Sequence, residues 1–470
     1  MNLLRPIIAI LILFIPLYPK FPLTSVTGTY VSVRLDDYVV AASILLWLIY
    51  QFTHRFPVLK HRITPLFIAY FLGLAATTVN AILVYQTTPT NILLLHFLRR
   101  FEYMSLFFIT IDAIQKEKDL LFPYITLLMA IFGIAAYGYG QKYLNFPIVS
   151  TMNSEFSKGI LLQMDNWSRI SSTFAGHYDL AAYLSLIIIL LTTVIILTPN
   201  LYLKFFSVIA WGISFHLLSL TASRISVIAF WFSSILTLVL IRKYLWILPI
   251  SVLVIFTITN SKDLNQRLLA TIPAIKLQLN KKPTTIPTPT VIPTPLPTLA
   301  FIPTPKPILA PVFTPTPTPT IFRHQPIDDY PLVDADVGVA RSGEIRFNAE
   351  WPRAITAFTK NKIFGTGLGS ITLATDNDYL RLLGESGIVG FVSFIAILVY
   401  FFINSLKFAA KKQQTFYDKL ALTCLGGLVC IMANALFIDV FEASKTAYTY
   451  WLFLGVYYRL IHYAQPKTKI

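Results

Sequence analysis

Charged residues are scarce in this sequence of 470 residues. Asp, Glu, Lys and Arg make up 13% of it, whereas soluble globular chains contain about 25%. Hydrophobic residues make up 55% and aromatic residues 14%. This balance excludes a cytosolic enzyme and an intrinsically disordered chain. The formal net charge is nevertheless +16, so the positions of the charges must decide between a nucleic acid and a membrane as the partner.

Cysteine is also nearly absent. The two cysteines, Cys424 and Cys430, lie in one apolar run. On a helix their spacing places them on different faces about 9 Å apart, so the sequence predicts no disulfide. No spacing of His, Cys and Asp indicates a metal site either. The sequence therefore predicts neither a bound metal nor another cofactor.

Long apolar runs account for most of the chain. Runs of about 17–25 apolar residues are typical of transmembrane helices. We count about twelve, so the sequence predicts an all-α, polytopic integral membrane protein. We expect the first run to be a retained helix, because no small-residue cleavage site follows it. The predicted spans are Leu3–Tyr18, Tyr38–Phe52, Thr64–Val84, Asn91–Ile114, Leu120–Tyr139, Leu180–Leu197, Phe205–Leu220, Ile225–Ile241, Trp246–Thr259, Gly387–Phe402, Leu420–Ile438 and Ala447–Ile461.

The cationic residues are concentrated in alternate connections between these spans. Short connections rich in Lys and Arg occur at every second position, and the C-terminal tail adds more. The positive-inside rule places these connections and both the N and C termini in the cytoplasm. Most of the positive charge then orients the chain in a membrane, and we expect membrane lipid and no nucleic acid as a partner.

Two long segments then face outward, residues 141–179 and 260–380, the second between helices nine and ten. We divide the chain into residues 1–259 with nine helices, the extracytoplasmic loop 260–380, and residues 381–470 with three helices and the tail. Within the large loop, residues 283–320 are dominated by Pro and Thr, which favours an extended linker and excludes a packed core. This linker is either a semi-rigid spacer or a tolerated insertion.

Several arginines gather in the connections predicted to face outward. Placing a charged arginine side chain in or beside a bilayer costs free energy, so arginines at such positions are functional candidates. Converging guanidinium groups form a fork-shaped site for phosphate or pyrophosphate. The alternative is that each arginine reaches the interface or pairs with a nearby acid. These arginines and the polar residues near them are Arg169, His177, Arg224, Arg341, Arg346, Arg353, Asp376, Asn377, Arg381 and Glu385.

Two further features have structural interpretations. Arg99 and Glu102 lie inside the fourth apolar run at a spacing that allows them to pair on one helix face. The glycines Gly365, Gly367 and Gly369 resemble a phosphate-binding loop. A nucleotide site of that kind needs a βαβ unit, and the segment is predicted to lie outside the cytoplasm, so we expect a tight turn.

The ordered set of motifs resembles the O-antigen ligase and Wzy-type O-antigen polymerase superfamily. The motifs are RISSTFAGHYDLAAYL, TASR, W-x-x-A followed by FGTGLGS, and DNDYLRLLGESGIVG. The resemblance implies a metal-independent glycosyltransferase of the bacterial plasma (inner) membrane, with its active site on the extracytoplasmic side. Its donor would be an oligosaccharide on undecaprenyl pyrophosphate, and its acceptor a glycan or glycolipid.

The resemblance also implies roles for individual residues. Arg169, Arg224 and Arg346 match the basic positions of the family and would hold the pyrophosphate and stabilise the charge of the leaving group. Arg341 and Asn377 are additional candidates for substrate binding. Ligases of the family carry a histidine where this chain has Asp376, which favours a polymerase, or a ligase for another surface polymer.

Three residues are candidates for catalysis. A carboxylate such as Asp376 serves as a general base when an apolar cleft raises its pKa. His177 is the alternative base, and Glu385 is a further acid in the same motif.

Two other functions stay open at this point. A glycosyltransferase of the GT-C type uses a lipid-phosphate sugar and places paired acids in the first outer loop, where this chain has Asp36 and Asp37. A lipid-linked oligosaccharide flippase or transporter would carry charges at the middle of the bilayer. Arg99 and Arg100 are the residues that favour this second alternative.

Overall fold

The computed structural model describes residues 4–19, 21–25, 32–86, 88–148, 169–261, 264–266, 269, 345–371 and 375–465. The predicted Pro- and Thr-rich linker at 283–320 lies outside these ranges, as does the candidate binding residue Arg341. The described part is mostly helical.

The helices follow the apolar runs of the sequence. They are α1 (Leu4–Leu17), α2 (Leu35–Thr53), α3 (Thr64–Asn80), α4 (Thr90–Ala113), α5 (Leu121–Tyr143), α6 (His177–Leu197), α7 (Leu201–Leu220), α8 (Arg224–Leu240), α9 (Ile247–Asn260), α10 (Trp351–Lys360), α11 (Asp378–Ala409), α12 (Phe416–Asn434) and α13 (Ser444–Ala464). Short 3-10 or π turns occupy Pro57–Lys60, Ala81–Tyr85, Glu117–Leu120, Tyr244–Trp246 and Arg346–Glu350. A small antiparallel ribbon, β1 (Pro22–Ser25) and β2 (Ser32–Arg34), precedes α2 and was not predicted.

Within the described ranges, seven helices are long and apolar enough to cross a membrane. They are Leu35–Thr53, Thr64–Tyr85, Glu117–Tyr143, His177–Leu197, Leu201–Leu220, Asp378–Ala409 and Phe416–Asn434. The helix α6, with 21 residues, is about 31 Å long, which matches the roughly 30 Å hydrocarbon core of a bilayer. The chain therefore has the helices of an all-α membrane protein.

The outward faces of the helices are apolar. Leu245 is 90% exposed, Leu248 71% and Leu83 69%. Apolar surface on this scale is unusual for a protein in water and is expected for side chains that contact lipid tails. Both cysteines, Cys424 and Cys430, are buried and free.

Two long helices of low mean hydropathy, α4 and α13, pack against each other. The helix α4 lies along α13, and Tyr448 of α13 donates to Glu102 of α4 across this contact. Arg459 of α13 donates to the Ile111 carbonyl near the other end of α4. Because polar groups of these two helices bond to each other and to neighbouring parts of the chain, their lower hydropathy reflects contact with protein rather than exposure to water.

The arginines of α4 are paired with acids from other parts of the chain. Arg99 pairs with Asp37 in the first turn of α2 at 2.9 Å and with Glu102 at 3.6 Å. Arg100 pairs with Glu442 in the loop before α13. The predicted pairing of Arg99 with Glu102 is present, with Asp37 as the closer partner.

The helix α11 begins earlier than predicted and is broken inside. Asn377 caps its first turn by accepting a hydrogen bond from the Leu380 N–H at 2.9 Å. The helix therefore starts at Asp378, nine residues before the expected start at Gly387. Gly387 has φ of 62° and interrupts the helix. The domain boundary expected at residue 381 therefore falls inside this helix.

The glycine turn fills the break in α11. The Thr366 and Gly367 N–H groups donate to the carbonyls of Gly384 and Glu385, and the Ile388 N–H donates to the Lys362 carbonyl. Backbone groups freed by a broken helix must be satisfied by neighbouring protein in a membrane. The turn therefore supports a discontinuous helix, and its amides are not arranged around a phosphate.

The start of α12 also differs from the prediction, by four residues. The Thr415 hydroxyl accepts from the Asp418 N–H, and the Asp418 carboxylate accepts from the Thr415 N–H. This capping box fixes the helix start at Phe416 rather than at Leu420.

Candidate functional site

The loop before α6 carries Arg169 and is tied to α5. The Ser172 N–H donates to the Gln141 side chain at 2.8 Å, and the Ser172 hydroxyl donates to the Ile134 carbonyl at 2.7 Å. Ser172 has φ of 50°, a left-handed conformation that is uncommon for a residue with a side chain. These bonds hold Arg169 at the N-terminal end of α6.

Arg224 is the first residue of α8 and directly follows the tight turn after α7. Ala222 in this turn has φ of 49°. The Ser226 hydroxyl donates to the Asn434 side chain of α12 at 2.7 Å, which fixes the first turn of α8. Arg224 is close enough to Arg169 and Arg346 for their charges to act on it.

Arg346 reaches the same place from the end of the large loop. Its Nε and Nη2 atoms both donate to Asp376 Oδ2, at 2.9 and 2.7 Å. The Arg346 side chain is 8% exposed and that of Asp376 is 31% exposed. Asp376 has φ of 48°. Strained backbone of this kind tends to be kept where function requires it.

The phenol ring of Tyr178 lies among these arginines. The guanidinium carbon atoms of Arg169 and Arg346 are each 6.0 Å from the centre of the ring. Tyr178 also acts electrostatically on Arg224. The predicted cluster of Arg169, Arg224 and Arg346 is therefore present around a residue that the sequence analysis did not single out.

His177 contacts this cluster through its Nε2 atom, which lies 2.6 Å from Nη1 of Arg169. A guanidinium group can only donate, so Nε2 accepts and the imidazole is neutral. Its basic nitrogen is engaged by Arg169. This geometry favours a role in positioning Arg169 over the predicted role as a free base.

Two carboxyl groups of the site have raised pKa values. Burial raises the pKa of Asp376 above its usual value, and the Arg346 guanidinium opposes this shift without cancelling it. Burial, with the Asp376 charge adding to it, raises the pKa of Glu350 to about 7. Glu350 Oε2 is buried and has no hydrogen-bond partner in the described part of the chain. A carboxyl group with a pKa near neutral pH is suited to general acid–base chemistry.

Glu350 is a functional candidate that the sequence analysis missed. It follows Arg346 by one helical turn, in the motif RFNAEW. The signal was present in the sequence as an acid four residues after an arginine. The sequence alone could not show that this acid is functional, because its raised pKa arises from burial against Asp376 and its surroundings, which are distant in the sequence.

Two predicted site residues have structural roles instead. Asn377 caps α11, as described above. Glu385 is 1% exposed and pairs with Arg381 of its own helix at 3.3 Å. Glu385 therefore belongs to a buried ion network beside the arginine cluster and is not brought into the cluster.

This network fixes the loop that carries Asp376. Asp439 accepts hydrogen bonds from the Thr375 and Asn377 N–H groups, one on each side of Asp376. Arg381 holds Asp439 at 3.4 Å. The network thus sets the position of Asp376 through its neighbours in the chain.

The chemistry of the site is that of an anion-binding cleft with acid–base groups. Three guanidinium groups converge here, and together they can donate to an anion with several oxygen atoms. Among the described residues, no group of three or more His, Cys, Asp and Glu side chains is arranged to hold a metal ion. Comparisons with protein-family models and with curated proteins found no match for this chain.

Proposed function

We propose that this protein is a glycosyltransferase that takes its glycan from an undecaprenyl-pyrophosphate-linked donor. The observation that carries the proposal is the convergence of Arg169, Arg224 and Arg346 around Tyr178, next to Asp376 and Glu350. Three guanidinium groups match the several oxygen atoms of a pyrophosphate, and their donors are fixed before the substrate binds.

In this proposal the reaction is a displacement at the anomeric carbon of the donor glycan. The acceptor hydroxyl forms the new glycosidic bond while the bond from the anomeric carbon to the pyrophosphate oxygen breaks. The electron pair of that bond leaves on the pyrophosphate, where the arginines stabilise it. Glu350 or Asp376 accepts the proton of the acceptor hydroxyl.

The site lies at the end of the bundle that contains the N-termini of α6, α8 and α11. In the proposed topology about twelve helices cross the plasma membrane, and both termini are cytoplasmic. The cation-poor connections, and the large loop between the ninth and tenth spans, then face outward. The arginine cluster would meet its donor on the extracytoplasmic side.

Within this function, a polymerase is the first choice and a ligase the second. Asp376 stands where ligases carry a histidine, and His177 is engaged by Arg169. The alternative of a GT-C type transferase needs accessible paired acids. Asp36 is fully buried, and Asp37 is bound to Arg99 and to the Arg34 N–H.

The test is glycan transfer by single arginine variants reconstituted with a lipid-linked oligosaccharide. We expect Arg169→Ala, Arg224→Ala and Arg346→Ala each to lower transfer about 10²–10³-fold, as does the removal of one donor to a developing negative charge. The matched control is Arg62→Ala, which removes an exposed arginine from the connection between α2 and α3. Transfer by the cluster variants at the rate of this control, with all proteins folded, would refute the proposed site.

A further inference from the structure

An apolar cavity lies inside the helical bundle, away from the arginine cluster. Its volume is about 330 Å³. It is bounded mainly by α1, α5, α6, α12 and α13, and most of the side chains around it are aliphatic or aromatic; Glu117 is the one charged residue among the described residues of its lining. An apolar cavity of this kind stays dry and takes apolar ligands. The surrounding side chains lack dispersion contacts until something fills it.

The cavity is elongated along the helices. On α6 its lining recurs at the spacing of one helix face, over Tyr183, Leu186, Ile187, Leu190, Val194 and Thr198. This stripe is about 22 Å long, while the hydrocarbon region of one bilayer leaflet is about 15 Å deep, half of the whole core. The cavity is therefore long enough for a single lipid tail that runs parallel to the helices.

A second cavity of about 390 Å³ adjoins it and shares the wall residues Ile8 and Pro123. The charged residues that line this second cavity are the cations Arg5 and Lys118 and the acid Asp119. Arg5 pairs with Asp119 through Nη2, while its Nε is buried and has no hydrogen-bond partner among the described residues. The apolar cavity, which could hold a hydrocarbon tail, thus adjoins a cavity that contains cationic hydrogen-bond donors.

The cationic cavity lies at the end of the bundle opposite to the arginine cluster, and the tail cavity extends from there to Tyr183, about 9 Å along α6 from His177. Thr198 borders the tail cavity and is about 31 Å along the axis of α6 from His177. The cationic cavity is formed by the start of α1, the end of α4 and the start of α5. This pair of cavities is therefore separate from the proposed transferase site and does not depend on it.

We propose that the two cavities bind one anionic phospholipid, with a tail along α6 and the phosphate at Arg5 and Lys118. Basic pockets between membrane helices select anionic head groups, and the adjoining apolar stripe selects a long hydrocarbon chain. The lipid joins α1 and α5 to α6, α12 and α13, and its exchange takes place with the leaflet at the α4–α5 connection.

The experiment is lipid titration of the detergent-purified full chain, followed by native mass spectrometry. The probes are dioleoylphosphatidylglycerol and dioleoylphosphatidylcholine, which differ in head-group charge and share their tails. We expect one molecule of the anionic lipid to be retained at least about tenfold more tightly than the zwitterionic lipid, a difference of about 1.4 kcal/mol.

Two variants test the two cavities separately. Ile187→Trp fills the tail cavity, and Lys118→Glu reverses an exposed charge at the head-group cavity. Each is expected to lower retention of the anionic lipid at least tenfold, while thermal unfolding shows that the chain is folded. The matched controls are Leu248→Trp on an exposed face of α9 and Lys412→Glu in the connection before α12. Both are expected to leave retention of the anionic lipid unchanged.

Three results would overturn the proposal. Equal retention of the two lipids would show that the cationic cavity does not select a head group. Unchanged binding by folded Lys118→Glu, which alters only an exposed side chain, would place the lipid elsewhere on the surface. Preferential retention of undecaprenyl phosphate over the anionic phospholipid would assign the cavities to a polyprenyl chain.

Discussion

Replacement of Glu350 with Gln tests the acid–base role that the structure suggests for this residue. The change keeps the size of the side chain and removes its ionisation. Glu350 Oε2 has no hydrogen-bond partner in the described ranges, so little hydrogen bonding is lost. We expect the variant to fold normally, because the side chain is only partly buried at the edge of the site.

The expected loss of activity follows from the pKa of this carboxyl group. Burial raises the pKa to about 7, so the group is about half ionised at neutral pH. A general base must be deprotonated, so transfer by the unmodified protein should fall about tenfold for each pH unit below about 7 and level off above it. Loss of a general base lowers rates about 10²–10⁴-fold, and the variant should also lose this pH dependence.

The assay measures the rate of glycan transfer in proteoliposomes between about pH 5.5 and about pH 8.5. This range extends about 1.5 pH units on either side of the Glu350 pKa of about 7. Glu117→Gln is the matched control, because it removes an exposed carboxyl at the opposite end of the bundle. A Glu350→Gln variant that keeps both the rate and the pH profile of the control would refute the role of Glu350. The proton would then be accepted by Asp376 or His177.

Four further substitutions have defined outcomes. Arg224→Lys keeps the charge but loses the planar fork, so transfer should fall at least about tenfold, as measured by the same assay; an unchanged rate would show that charge alone suffices. Asp376→Asn should lower transfer about 10²-fold or more if this carboxylate shares the acid–base role, and full activity would exclude it. Gly387→Ala should destabilise the protein by more than about 1 kcal/mol, because Gly387 has φ of 62° and an added Cβ would lie 2.3 Å from the Ile363 carbonyl oxygen. Thermal unfolding in detergent measures this cost, and Gly212→Ala, with nothing within 4 Å of the added Cβ, should be neutral or slightly stabilising.

Most of the helices could be predicted, because apolar runs determine where they form. Their ends could not, since local side-chain caps decide them. The Asn377 cap starts α11 at Asp378, nine residues before Gly387. Gly387 marks a break inside the helix and not its boundary. Thr415 and Asp418 start α12 in the same way.

The site could be predicted in part. The arginines were recognisable, because charge near a bilayer is costly and each lies in a distinct motif. Their meeting around Tyr178 depends on how α6, α8 and the segment before α10 pack together. The roles of Glu350 and of Asp439 depend on burial and on contacts between residues that are distant in the sequence.

The measurement that tests the central claim most directly is reconstitution of the purified protein with an undecaprenyl-pyrophosphate-linked oligosaccharide. Mass spectrometry of the products reports where each glycan is found. We predict new glycosidic bonds and released undecaprenyl pyrophosphate, with longer glycans on the carrier for a polymerase or glycan on a second acceptor for a ligase. An unchanged oligosaccharide that has only moved to the opposite leaflet would contradict the account and identify a transporter.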